Sequence, residues 1–207
     1  MKPRRTLLIA TGNKGKLGEL RELLGDIPFR LMDLGDFPSI HFVHETCETF
    51  VENASLKATG YARQAKLLTL ADDSGLEVDA LGGAPGVLSA RYAGNGASDQ
   101  KRTRKLLAEL SNVPSEQRSA RFVCSVAIAD EEGALSHVSS GVCEGRIAFA
   151  PEGVAGFGYD PVFIPCGFDQ TFAELQPEIK NKISHRARAL SGAYEFLRSL
   201  TVASTAD

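Results

Sequence analysis

The segment Leu68 to Arg91, LTLADDSGLEVDALGGAPGVLSAR, constrains this chain more than any other. It opens as an apolar run of strand type and meets two adjacent carboxylates, Asp72 and Asp73, with Ser74 and Gly75 next. Ligands of α/β proteins bind at strand ends. Two carboxylates side by side raise each other's pKa, and a bound cation removes that cost. Oxygen-only ligation suits Mg²⁺, which takes one or two carboxylates together with substrate phosphates. A strand that simply ends in an Asp/Ser/Gly turn is the alternative, because those residues dominate turns.

A chain of 207 residues is long enough for one domain with a sizeable core. Its 43% hydrophobic and 24% charged residues are those of an ordinary globular protein. The net charge of −3 gives no general attraction to nucleic acid or anionic membrane, so an anionic substrate requires a local basic pocket. No apolar run reaches the roughly 18 residues of a membrane span. The start, MKPRRTLLIATGN, is basic and then apolar, but Gly12-Asn13-Lys14 interrupts the run before it reaches signal length, and it reads as a first strand. Cys47, Cys124, Cys143 and Cys166 form no CxxC pair, which predicts reduced thiols and a cytoplasmic location.

Patterning alternates strand and helix at first. Arg5 to Ala10 reads as a strand, Thr11 to Gly15 as a polar turn, and Lys16 to Leu24 as a helix carrying Leu17, Leu20, Leu23 and Leu24. A strand is expected at Phe29 to Asp33, with an irregular stretch from Phe37 to Glu48. Thr49, with Glu52 three residues on, predicts a capping box and a helix whose apolar face holds Phe50, Ala54, Ala58, Tyr61, Ala62 and Ala65. The strand Leu68 to Ala71 then delivers the aspartates. Ser98 caps a helix ending near Leu110. Beyond Pro114 the chain turns hairpin-rich, with strands at Arg121 to Asp130, Leu135 to Val142 and Glu144 to Phe149, and a second lobe is expected there. Gly153 to Pro165 reads as loop and then strand. Ser184 caps a last helix with Ala187, Leu190, Tyr194, Leu197 and Leu200 inward, and 201–207 read as a polar tail. The expectation is a single domain of two lobes over 1–200.

Several short segments carry chemistry. Thr11-Gly12-Asn13-Lys14-Gly15-Lys16 joins the first strand to the first helix. Helix N-termini offer unpaired N–H groups to phosphate, and two glycines let it approach the backbone. The loop is not a Walker A sequence, since only two residues separate Gly12 from Gly15 and Leu17 follows Lys16. Solvated lysines on a Gly-rich connection are the plainer reading. Glu45, Glu48 and Glu52 precede or open a helix, where the dipole favours acids in any case. Lys57 lies one to two turns inside that helix, a position usually exposed to solvent. His41 and His44 lack a third soft ligand and do not make a zinc site. Phe157-Gly158-Tyr159-Asp160 offers an aromatic face beside flexible backbone. Lys180, Lys182, His185 and Arg186 gather positive charge near the Ser184 cap. GxSxG and GxGxxG are both absent, which argues against a serine hydrolase and a dinucleotide-binding enzyme.

Taken together and in order, TGNKGK, ETCETFVENASLKA, LADDSGLEVDALGGAPGVLSARYAG, GFGYDPVFIP and ISHRARAL closely resemble the inosine triphosphate pyrophosphatase family, whose bacterial members are dITP/XTP pyrophosphatases. The resemblance spans about residues 6 to 198. It implies an elongated, two-lobed α/β fold with a central mixed β-sheet flanked by helices, an active-site cleft between the lobes, and a homodimer. It implies hydrolysis of non-standard purine nucleoside triphosphates (dITP, ITP, XTP) to monophosphate and pyrophosphate. Residue by residue, Thr11, Gly12, Asn13, Lys14, Gly15 and Lys16 would hold the triphosphate and Lys57 would neutralise it. Asp73 would be the catalytic carboxylate and, with Glu45, a ligand of Mg²⁺, for which Mn²⁺ can substitute; Asp72 would support that site. Ser74 would contact substrate, and Phe157, Gly158, Tyr159, Asp160, Lys180, His185 and Arg186 would form the nucleoside pocket. A nucleotide hydrolase of other base specificity and a non-catalytic nucleotide sensor are the rival readings.

Overall fold

The strand that carries the two aspartates does not stop at them. In the computed structural model, which describes residues 4–203, β3 runs from Leu68 to Val78, so Asp72 and Asp73 lie within a strand, and Asp72 is completely buried. The sequence reading ended this strand at Ala71 because buried charges look like a boundary. Here they are tolerated because cationic side chains cover them.

Among the described residues, five other strands and five α-helices accompany it. In chain order they are β1 (Thr6–Ile9), α1 (Lys14–Leu23), β2 (Arg30–Asp33), α2 (Phe50–Ala65), β3, α3 (Asp99–Glu109), β4 (Ser119–Ala129), β5 (Leu135–Ile147), β6 (Phe163–Pro165), α4 (Pro177–Ile183) and α5 (His185–Ala203). The strands form one sheet in the order β2-β1-β3-β4-β5-β6. It is mixed: β1 is parallel to both β2 and β3, with Leu7 opposite Leu31 and Leu68, while β5 and β6 are antiparallel. The α/β class and the mixed, helix-flanked sheet match expectation.

The capping signals explain the helix starts. Thr49 accepts from the Glu52 amide and Ser98 from the Lys101 amide, each satisfying an orphan first-turn donor. Asn13 does the same for Lys16, which moves the start of α1 two residues ahead of the expected one. The strands expected separately at Leu135 to Val142 and Glu144 to Phe149 are one, β5. Helix α4 was not anticipated; seven residues with Pro177 at the start and alternating charge give little periodicity. α5 continues to Ala203, past the start of the expected tail, and 204–207 lie outside the described residues. No described helix is long and apolar enough to cross a membrane.

By internal contacts the chain divides into two units. Unit 1 takes the residues up to Asp73, Cys124–Gly141 and those from Arg186 on; unit 2 takes Ser74–Val123 and Val142–His185. Unit 1 has a core on each side of its strands. Leu68 and Leu70 of β3 pack with Leu20 and Leu24 of α1 and Leu190 and Leu197 of α5. Ala71 packs with Ala54, Ala58 and Tyr61 of α2. Side chains alternate along a strand, so Asp72 follows Leu70 to the α1–α5 side and Asp73 follows Ala71 to the α2 side. Unit 2 has its own core of Leu76, Val78, Leu106, Phe122, Phe163 and Phe172.

Candidate active site

Unit 1 gathers an acidic and cationic cluster around the middle of β3. Lys16, one turn into α1, places Nζ 3.3 Å from Asp72 Oδ2. Arg186, second residue of α5 and 2% exposed, lies 3.5 Å from the same carboxylate and pairs with Glu19 through Nη1. Cys124 Sγ on β4 is 4.0 Å from Asp72 Oδ2. Burial alone would raise the Asp72 pKa, but Lys16, Arg186 and Lys57 overcome it and hold this carboxyl well below the usual range. Burial and the Asp72 charge push the Cys124 thiol up to about 12. Asp72 is therefore an anion fixed in place.

Asp73 has a different setting. Its Oδ1 is 3.3 Å from Lys57 Nζ, which makes a closer bond of 2.5 Å to Glu45 Oε1. Burial pushes the Asp73 pKa up, against the pull of Lys57 and Lys16, and the neighbouring Glu45 and Asp72 push the same way. Burial would lower the Lys57 pKa, but Asp73, Asp72 and Glu45 reverse it and keep the ammonium charged. Asp73 Oδ2 is buried and makes no hydrogen bond. A proton-accepting group with one oriented, unsatisfied oxygen is what general-base chemistry requires.

Glu45 lies in an irregular segment that α2 ties down. Gln64 bonds both the amide and carbonyl of His41, at 2.8 and 3.1 Å. Tyr61 Oη accepts from the Val43 amide, and Asn53 bonds both polar groups of the Cys47 backbone. Asn53, Lys57, Tyr61 and Gln64 repeat every three or four residues and so line one stripe of the helix. Lys57, expected in solvent on spacing alone, is 8% exposed on that stripe. The loop before α1 is open. A Cβ added at Gly12 would meet no atom within 4 Å, so no packing contact requires glycine there and the room remains for a ligand. The early amides of α1 point into such a space by helix geometry.

The expected nucleoside residues lie in unit 2, apart from Arg186. Asp160, 3% exposed, accepts from the Phe157 amide at 2.8 Å and from Lys180 Nζ at 2.6 Å. Gly156 has φ +73°, and a Cβ there would fall 2.1 Å from Asp160 Oδ2, so only glycine fits. Lys180 Nζ is 5.4 Å from the Phe157 ring centre. His185 stacks on Phe122, with ring centres 4.6 Å apart and 10° between planes. Tyr159 Oη donates to the Ser89 carbonyl, and Ser89 Oγ accepts from the Leu76 amide, so the Ser89 of the SAR motif braces this unit. Ser74, the first residue of unit 2 on β3, is half-buried.

The motifs do not single out Glu19, Asn53 or Cys124 as part of this cluster. Glu19 had a signal, since it follows Lys16 by three residues on α1 and shares its face. Among the described residues no group of three or more His, Cys, Asp or Glu side chains forms a metal cluster.

A model of the Ham1 family matches residues 7–196, nearly the whole chain. The chain belongs to the Ham1 family. Its relatives in that family include the dITP/XTP pyrophosphatase of Desulforamulus reducens, 49% identical over 95% of this chain and 97% of the relative. That of Geobacillus kaustophilus is 51% identical over 89% and 90%. Among solved structures, a HAM1 protein from Coxiella burnetii superposes with a TM-score of 0.84 at 43% identity, covering 94% of this chain and 99% of that one. The nucleoside-triphosphatase / dITP/XTP pyrophosphatase of Mycobacterium abscessus gives 0.73 at 45% identity, over 91% and 98%.

Proposed function

We propose that this Ham1 protein hydrolyses non-standard purine nucleoside triphosphates (dITP, ITP and XTP) to the monophosphate and pyrophosphate. The observation that carries the reading is Asp73: a buried carboxylate whose Oδ2 makes no hydrogen bond and whose other oxygen faces Lys57. The names of its relatives supply the substrate class.

The triphosphate is assigned to Thr11–Lys16 and Lys57. A chain of about four negative charges meets amides at the start of α1 and two lysines, at a place where Gly12 leaves room. The orphaned Asp73 Oδ2 and the half-buried Glu45 fit a hard divalent cation, Mg²⁺ with Mn²⁺ as substitute. Such an ion, when bound, supplies charge neutralisation at the reacting phosphates. Asp73 takes the proton of the water that attacks the α-phosphorus, and the P–O bond to pyrophosphate breaks. Lys16 and Lys57 stabilise the pyrophosphate as it leaves. Asp72, held by Lys16 and Arg186, keeps that lysine in register.

The base is assigned to Phe157–Asp160, Lys180, His185 and Arg186, and Ser74 to contact with the substrate. Hypoxanthine and xanthine carry a 6-keto acceptor where adenine carries an amino donor, and Arg and Lys side chains only donate. Donors left facing an amino group are costly, so such a site rejects adenine. A homodimer is proposed on the resemblance, and the four free thiols fit a reducing, cytoplasmic compartment.

Pyrophosphate release measured with ITP, XTP, ATP and GTP, with and without Mg²⁺, tests the reading. ITP and XTP should be cleaved far faster than ATP, and only with the metal. Equal rates for all four would refute the substrate class, and no pyrophosphate from any would refute the activity.

A further inference from the structure

We propose that Asp99, outside every segment assigned above, is a positioning residue for base binding: its carboxylate fixes the Phe157–Gly158 turn and thereby aims the Phe157 ring. This rests on the reading of Phe157 as the face on which the purine stacks.

The turn is expensive to hold. Gly156 and Gly158 both sit in the left-handed region, at φ +73° and +64°, on either side of Phe157. A segment with two such glycines has many alternative conformations, and ordering it costs entropy. Two carboxylates restrain it, one local and one distant in sequence. Asp160 Oδ2 takes the Phe157 amide at 2.8 Å, and Asp99 Oδ2 takes the next amide, that of Gly158, at 2.6 Å. Thr103 Oγ1, one turn along α3, is 3.4 Å from the Gly158 carbonyl. Successive peptide groups are thus gripped by a local acid and by one 59 residues away.

An acidic residue in the first turn of a helix needs no special explanation, since the dipole favours it. Asp99 does more. Its Oδ1 pairs with Arg102, and Arg102 Nη1 bonds the carbonyls of Ala90 and Ala97, at 2.9 and 2.7 Å. The carboxylate is oriented by that guanidinium, with Oδ2 left to face Gly158. A hydrogen bond from an amide to an ionised acceptor is of the stronger kind.

The test compares steady-state kinetics of full-length variants with Mg²⁺ and ITP, and with pyrophosphate as a base-free inhibitor. Asp99→Ala should raise KM for ITP about tenfold with kcat within about twofold, the scale of one charge-assisted hydrogen bond. The inhibition constant of pyrophosphate should not move. Asp99→Glu keeps the charge at the helix start but displaces the oxygen; it should retain the parent Tm and still raise KM. Ser98→Ala removes the helix cap alone, and should lower Tm with KM unchanged. Phe157→Ala should raise KM as much as Asp99→Ala, and the double variant should add less than twofold. If Asp99→Ala and Asp99→Glu both keep the parent KM while Phe157→Ala raises it, Asp99 does not position the turn. If Phe157→Ala itself leaves KM unchanged, the stacking reading falls and the proposal falls with it. A pyrophosphate constant that rises in step with KM would make Asp99 a general structural residue and also overturn the proposal.

Discussion

Asp72 and Asp73 are consecutive residues of one strand, yet the first is bound to Lys16 and Arg186 on the α1–α5 side and the second to Lys57 on the α2 side. Their pKa values move apart, Asp72 down and Asp73 up. Pairs of carboxyls separated in this way mark distinct roles in acid–base chemistry.

Activity should follow that division. Asp73→Asn keeps the shape of the side chain and should lose at least about a hundredfold in kcat for ITP, the low end for removing a general base. Circular dichroism should show an intact fold. Turnover within a few-fold of the parent would take Asp73 out of the mechanism.

Stability should follow it with opposite sign. The folded pKa of Asp72 is depressed, so its ionised form stabilises the protein above the unfolded value of about 3.9. That contribution is lost as pH falls through the lower, folded value. Asp72→Asn removes the carboxylate that half-buried Lys16 faces and that buried Arg186 shares with Glu19, and should cost about 3–5 kcal/mol at pH 7, roughly 10 °C in Tm. Asp73 has a raised folded pKa, so its charge costs stability once the pH passes that value. Asp73→Asn should melt no lower than the parent at pH 7 in metal-free buffer. Thermal scans of both variants decide it; equal losses would refute the division.

Glu45 is half-buried against Lys57 and belongs to a tethered segment, so Glu45→Gln should fold normally. It should need roughly tenfold more Mg²⁺ for half-maximal rate, a typical cost of disturbing one ligand position. A Mg²⁺ titration of the pyrophosphate assay measures this, and an unchanged midpoint excludes Glu45 as a ligand.

Arg186 is asked to serve two ends. Its guanidinium holds Glu19 and Asp72, and it is also proposed to donate to the keto oxygen of the base. Arg186→Ala should lower Tm and reduce the ITP/ATP ratio of kcat/KM by roughly ten- to a hundredfold, since one hydrogen bond to a charged group is at stake. Equal proportional loss for the two substrates would confine Arg186 to the buried carboxylates.

Much of this was legible in the chain. Thr49 and Ser98 announced their helices because capping is a local interaction that sequence displays directly. TGNKGK fell between strand and helix as its glycines suggested. What stayed hidden depended on distant partners. Asp72 and Asp73 read as the end of a strand because nothing nearby in sequence could neutralise them; Lys16 and Arg186 do so from far along the chain. Lys57 reads as solvated by spacing alone because Glu45 and Asp73 lie outside its helix, and nothing local singles out Asn53, whose partner is the backbone of Cys47. Nothing local singles out Asp99 either, because Gly158 is 59 residues away.

The parallel pairing of β3 with β1, Leu7 opposite Leu68 through Ile9 opposite Leu70, sets more than the alignment of two strands. Side chains alternate with a period of two, so sliding β3 by one residue would turn Asp73 toward Lys16 and Arg186 and carry Asp72 or Ser74 to Lys57. The aspartate proposed to accept a proton would become the clamped one. An insertion or deletion of a single residue between Leu68 and Asp72 would exchange the two settings while leaving every functional side chain in the chain. For this strand, spacing is a chemical specification as much as side-chain identity is.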